Sequence, residues 1–143
     1  MGSGTLIKTH SITKEFVVID ASKRATLETA DAGLYGRLGA NYAGFKACEL
    51  ISCHQFASDW DTWEIHPHGD EVVILLAGQV TFVLQLDGGE TSVSLQEEGD
   101  YVVVPKDVWH TARTSTQSKL LFITPGEGTQ NKGFDAIADE TLA

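Results

Sequence analysis

Glu64-Ile65-His66-Pro67-His68-Gly69-Asp70-Glu71 is the densest group of ligand-type side chains in this sequence, and it runs straight into the apolar stretch Val72–Ala77. Alternation along a strand puts Glu64 and His66 on one face, with Trp63 and Ile65 on the other. Pro67 and Gly69 break that strand into a tight loop. Glu71 starts the next strand, on a face that continues through Val73 and Leu75. If that face lines an interior, Glu64, His66 and Glu71 converge there. A mixed carboxylate and imidazole set suits Fe, Mn, Ni, Co or Zn.

A second cluster follows at Gly99-Asp100-Tyr101-Val102-Val103-Val104-Pro105-Lys106-Asp107-Val108-Trp109-His110. It reads as a turn, a buried strand, and a second turn at Pro105 to Asp107 that delivers His110 onto a new strand. A single histidine on a strand is more often a structural residue than a ligand, so His110 alone carries little.

Around these clusters the chain from Phe45 onward is a succession of short β-rich runs. The pattern predicts strands near 46–56, 61–66, 71–77, 79–86, 90–95, 101–104, 109–114 and 119–124. Asp87-Gly88-Gly89 is a hairpin connection, and Gly78 and Gly99 mark further bends. Many short strands without intervening helices mean a sandwich or barrel rather than alternating strands and helices. The continuous apolar run Val72–Ala77 predicts a strand covered on both faces. A second copy of the chain, making a homodimer, is the expected outer cover. The N-terminal third laid across the sheet is the competing arrangement.

Residues 1–44 are less patterned. Phe16–Ile19 is a short apolar run, a helical turn is expected around Ala21–Ala30, and Gly33, Gly36, Gly39 and Gly44 punctuate a loop-rich stretch. No Gly-Lys-Ser/Thr follows these glycines, so they are turn residues and not a phosphate loop. The tail from Pro125-Gly126-Glu127-Gly128 ends the strands, and Phe134–Leu142 is a candidate short helix.

Taken together, the two clusters resemble the paired motifs of the cupin superfamily. The first family motif is a His-x-His pair, three or four residues, Glu, six residues and Gly; here Glu64-x-His66, four residues, Glu71, six residues and Gly78 stand in that frame. The second is Gly, five residues, Pro, one residue, Gly, two residues, His, three residues and Asn; here it is Gly99, Pro105, Asp107, His110 and Thr114 at the same spacing. The resemblance implies an all-β, double-stranded β-helix (a jelly-roll barrel) over 45–125, with 1–44 as an extension packing on the barrel or a dimer partner and 126–143 as a tail. It also implies an internal divalent transition metal held by His66, Glu71 and His110. Glu64 stands where the family has its first His. It is either a fourth ligand or a catalytic base beside the metal. His68 could replace His66 by a register shift, but its loop position favours the cavity mouth, with Asp70 and Tyr101 also at the pocket or mouth. Asp107 replaces a turn Gly, and Asp tolerates left-handed backbone angles.

Composition narrows the function classes. The chain has 143 residues, 42% hydrophobic and 21% charged, and a formal net charge of −10. That suits one soluble globular domain and disfavours nucleic acid as a partner. No run is long and apolar enough for a membrane span. Cys48 and Cys53 are read as two buried thiols in a reducing compartment, so a cytoplasmic location is expected. No Gly-x-Ser-x-Gly elbow is present. His54 follows Cys53 but points to the opposite strand face, which argues against a Cys–His pair. His10 lies outside both motifs and is expected to be solvated. The expected function is a metal-dependent enzyme acting on a small polar molecule, dioxygenase-like or isomerase-like. A non-catalytic metal-dependent binding or sensing module, or a structural barrel without metal, are the alternatives.

Overall fold

In a computed structural model, which describes residues 7–134, eleven strands and one helix follow one another as β1 (Glu15–Ile19), β2 (Ala25–Thr29), α1 (Leu34–Asn41), β3 (Glu49–Phe56), β4 (Thr62–Ile65), β5 (Glu71–Ala77), β6 (Val80–Leu86), β7 (Gly89–Leu95), β8 (Tyr101–Val104), β9 (His110–Arg113), β10 (Ser118–Thr124) and β11 (Gln130–Gly133). All strand pairs are antiparallel, in a six-stranded sheet of order β2-β1-β3-β10-β5-β8 and a five-stranded sheet of order β11-β4-β9-β6-β7. The two sheets face each other as a jelly roll around a core that includes Val73, Leu75, Phe82, Leu84, Val102, Val104, Ala112, Leu120 and Phe122.

The eight strands expected from Phe45 onward are all present, with small differences at their ends. In β5 the odd-numbered residues Glu71, Val73 and Leu75 are buried, while Val72, Ile74 and Leu76 are partly covered. Alternation therefore assigns Glu71 to the same interior face as the apolar core. Leu86 pairs with Gly89, so Asp87 and Gly88 form the two-residue turn between β6 and β7. Gly78, at φ 86°, turns β5 into β6, and a Cβ there would run into the Ser118 side chain and the Gln117 carbonyl.

The N-terminal third departs from the expectation in two places. The stretch expected to hold a helical turn, Ala21–Ala30, instead contains β2, which pairs with β1 as a hairpin. The Asp20 carboxylate accepts from the amides of Ser22 and Arg24, and Lys23 takes φ 71°. A side-chain-stapled turn of this kind favours pairing of the β-branched run beside it over helix. The glycine-punctuated loop holds α1 instead. Leu34 and Leu38, four apart, are buried under one helix face. Their burial outweighs the helix cost of Gly36 and Gly39.

The β1–β2 hairpin does not lie across the outer face of the six-stranded sheet; it extends that sheet at its edge beside β3. The outer face keeps two apolar rows in register. Val17, Ile51, Ile123, Val72 and Val103 form one, and Cys53, Leu121, Ile74 and Tyr101 the other. Val103 is 45% and Tyr101 64% exposed. The strand β11 was not expected; it adds to the other sheet beside β4. The candidate helix Phe134–Leu142 falls almost entirely outside the described residues. Cys48 and Cys53 are both buried free thiols.

Candidate metal centre

The end of β4, the start of β5 and the start of β9 meet at one end of the barrel interior. Glu64 is directly opposite His110 in the β4–β9 ladder, and opposite Asn131 on the other side in β11. His66 follows β4 by one residue and keeps the Glu64 face, as alternation requires. Glu71 arrives from the neighbouring sheet. One donor atom each from Glu64, His66 and His110 lies within 4.8 Å of the others. Glu71 lies outside that three-residue set but touches both imidazoles. Its Oε1 is 3.2 Å from His110 Nε2 and its Oε2 is 3.3 Å from His66 Nε2. Glu64 Oε1 is 3.7 Å from His66 Nε2. The two imidazole centroids are 5.2 Å apart. The four side chains singled out in the sequence therefore share one site.

Burial of this site is nearly complete. His110 is 0%, Glu71 2% and His66 4% exposed, whereas Glu64 is 32% exposed on the cavity side. Within the site, His66 Nε2, His110 Nε2 and Glu71 Oε1 are buried at ion-pair distances but have no hydrogen-bond partner. The His110 Nδ1–H is directed at the Val108 carbonyl, 3.0 Å away, so in the neutral ring Nε2 carries a lone pair facing a carboxylate. Opposed buried lone pairs are costly unless a proton or cation lies between them. The donor set fits a divalent transition metal, which would satisfy all three atoms at once.

Surrounding residues hold these side chains in place. Thr129 Oγ1 is 2.8 Å from His66 Nδ1, and the Thr124 hydroxyl donates to Glu71 Oε2 at 2.6 Å. The Asp107 amide donates to the His66 carbonyl, and Asp107 occupies the left-handed region at φ 63°. Burial pushes the Glu71 carboxyl up, but the adjacent His110 and His66 outweigh it and hold it well below the usual carboxylate range. Burial pulls the His110 imidazole down, but Glu71 and the Val108 carbonyl bring it out above its ordinary value. Glu64 is pushed up by burial and by the charge of Glu71.

A cavity of about 1130 Å³ opens from this end of the barrel. Glu64, His66 and Glu71 sit in its wall. Trp60, Phe56, Phe122 and Leu50 supply an apolar wall, and Tyr35, Leu38 and Phe45 supply the rim on the α1 side. The three residues expected at the pocket or mouth are not among its lining. His68 is exposed in the loop after β4, close to Gly128. Asp70 accepts the Lys106 amide and ties two loops together. Tyr101 belongs to the outer face of the six-stranded sheet, because it pairs with Ile74 and odd and even positions of β8 point opposite ways. His10 is not simply solvated; its Nδ1 is 3.1 Å from Glu15. Thr114, at the family Asn position, bonds the Gln79 and Thr116 carbonyls. Sequence reasoning missed Thr124, Thr129 and Asn131. The last two lie in a tail with no strand periodicity, so their approach to the site had no local signal.

Comparison with curated proteins finds no match. Among solved structures, a cupin-2 domain containing protein from Shewanella frigidimarina is 25% identical, over 54% of this chain and 70% of that one, at a TM-score of 0.46. A protein from Neisseria meningitidis is 26% identical, over 53% of this chain and 72% of that one, at 0.43. Hydroxypropylphosphonic acid epoxidase from S. wedmorenis is 16% identical, over 53% of this chain and 43% of that one, at 0.46. Residues 57–124 match the family model of the cupin domain, a span that runs from just before β4 to the end of β10 and contains Glu64, His66, Glu71 and His110. The two motifs lie on strands paired within each sheet, β4 with β9 and β5 with β8, and residues 57–124 of this chain form a small cupin-type domain.

Proposed function

We propose that this protein is a metal-dependent enzyme acting on a small polar molecule in the barrel cavity, with Glu64, His66, Glu71 and His110 as the metal ligands. The observation that carries this reading is the set of three orphaned buried atoms, His66 Nε2, His110 Nε2 and Glu71 Oε1, converging beside Glu64. A bound transition metal would supply Lewis acidity to a substrate oxygen or to water, and iron would add oxygen chemistry. Glu64 is the most exposed of the four toward the cavity. It is placed to accept or return a proton from a substrate held against the Trp60 and Phe122 wall. His66, Glu71 and His110 are too buried for that role and serve to fix the cation.

Elemental analysis of protein purified without added metal tests the proposal. About one equivalent of Fe, Mn, Ni, Co or Zn per chain is expected. Its loss in the double variant His66→Ala/His110→Ala supports the ligand assignment. Stoichiometric metal retained in that variant would overturn it.

For partners, we infer a small-molecule ligand and a homodimer formed through the outer face of the six-stranded sheet. The two apolar rows on that face support the homodimer, since a self-complementary patch pairs about a two-fold axis. Two buried free thiols favour a reducing compartment such as the cytoplasm.

A further inference from the structure

We infer that the cavity selects a small organic molecule that carries no negative charge and has an aromatic or apolar body, and that Glu64 sets this charge preference. The inference rests on the metal-site reading above. Glu64 and Glu71 bring two negative charges, and His66 and His110 bind a metal as neutral imidazoles. A divalent cation in this set is therefore fully neutralised by its own ligands. A histidine at position 64 would leave one positive charge to attract an anion; Glu64 removes it.

The rest of the cavity points the same way. Among the described residues no Lys or Arg lines it, while the exposed Asp59 and Asp61, the sequence neighbours of Trp60, do. Asp59 accepts the Thr114 amide, which holds its carboxylate in place. Trp60 and Phe122 pack with rings 6.1 Å apart and 30° between planes, and Phe56 adjoins Trp60 at 5.8 Å. This aromatic wall offers dispersion and ring contacts to an uncharged body. The repulsion of a carboxylate falls chiefly on the partly buried Glu64, with a smaller, solvent-screened contribution from the exposed Asp59 and Asp61.

The test uses full-length protein loaded with Co(II), and paramagnetic broadening of the ligand ring-proton NMR signals to obtain affinities. Benzyl alcohol and benzoate are the probes, matched in body and different in charge. The expected result is that benzoate affinity rises at least about tenfold in Glu64→Gln or Glu64→His, while benzyl alcohol affinity stays within about threefold. Asp61→Asn, which leaves every metal ligand in place, is expected to raise benzoate affinity in the same direction. Equal benzoate affinity in the wild type, the position-64 variants and Asp61→Asn overturns the charge inference. Failure of the wild-type protein to take up stoichiometric Co(II) overturns the metal-site reading itself, and the two failures are distinct.

Discussion

Glu71 and His110 are a carboxylate and an imidazole that each depend on the other, and their shifts make the metal-free protein pH-dependent. Glu71 titrates below its ordinary 4.5, so its contribution to stability is present above that value and is lost as pH falls through the depressed one. His110 titrates above its ordinary 6.5, so its contribution is complete below 6.5 and is lost as pH rises through the raised value. A metal needs the unprotonated Nε2 and must displace that proton. The gain in Tm on loading metal is therefore expected to be small in mild acid and to grow as pH rises through the raised His110 value. Thermal unfolding of metal-free and loaded protein from about pH 5 to about pH 9 checks this. A gain that shrinks as pH rises would contradict it. Thr129 has a separate role, since its hydroxyl meets His66 Nδ1 and orients the ring. Thr129→Val is expected to weaken metal affinity by roughly tenfold, as loss of a ligand-orienting partner commonly does, with little change in fold. Competition titration against a metal chelator reads this directly.

At the scale of elements, the site depends on two turns that aim strands at it. The Asp107 turn precedes β9 and donates its amide to the His66 carbonyl, so it couples both histidines through the backbone. Its φ of 63° is tolerable for Asp and costly for a β-branched residue. Asp107→Gly is expected to keep stability within about 0.5 kcal/mol, whereas Asp107→Val should lose about 1–2 kcal/mol in chemical denaturation. Gly78 joins β5 to β6 at a point where positive φ and a close approach to Gln117 and Ser118 coincide. Gly78→Ala is expected to cost about 2 kcal/mol or more, because strain and overlap both oppose the side chain. These turns were legible because Gly and Asp at fixed spacing announce them. The β1–β2 hairpin and α1 were not legible. One is stapled by Asp20 to backbone amides within its own turn, and the other is held by burial of Leu34 and Leu38, which overrides the weak helix propensity of a glycine-rich segment.

For the whole molecule, the outer face of the six-stranded sheet is where the proposed homodimer would form. One row crosses five strands in register and the other four, and among the described residues the N-terminal cluster around Phe16, Leu34 and Leu38 reaches only the Cys53 end of this face. The β1–β2 hairpin continues the sheet edge, and β11 joins the opposite sheet. Ile74 lies in the middle of one row, between Leu121 and Tyr101. Ile74→Lys is expected to convert a dimer to a monomer in multi-angle light scattering, leaving metal content unchanged, since the side chain points away from the site. A wild-type protein that is monomeric at high micromolar concentration would remove the homodimer from the proposal.

The sequence by itself determined the β-rich class and the succession of strands through the motif region, and alternation gave Glu64, His66 and Glu71 faces that could meet; His110 joined them only through the resemblance to the paired cupin motifs. The sequence could do so because strand alternation and turn chemistry are local, and two such patterns at matched spacing leave little freedom. Only the tertiary structure decided that Thr124 and Thr129 contact the site, that Asn131 faces Glu64 across a strand pair, and that Tyr101 turns to the outer face while His68 and Asp70 are not among the residues lining the cavity. Those relations depend on which strands become neighbours and which face turns inward, and contacts between residues some fifty or more positions apart leave no periodicity in the chain.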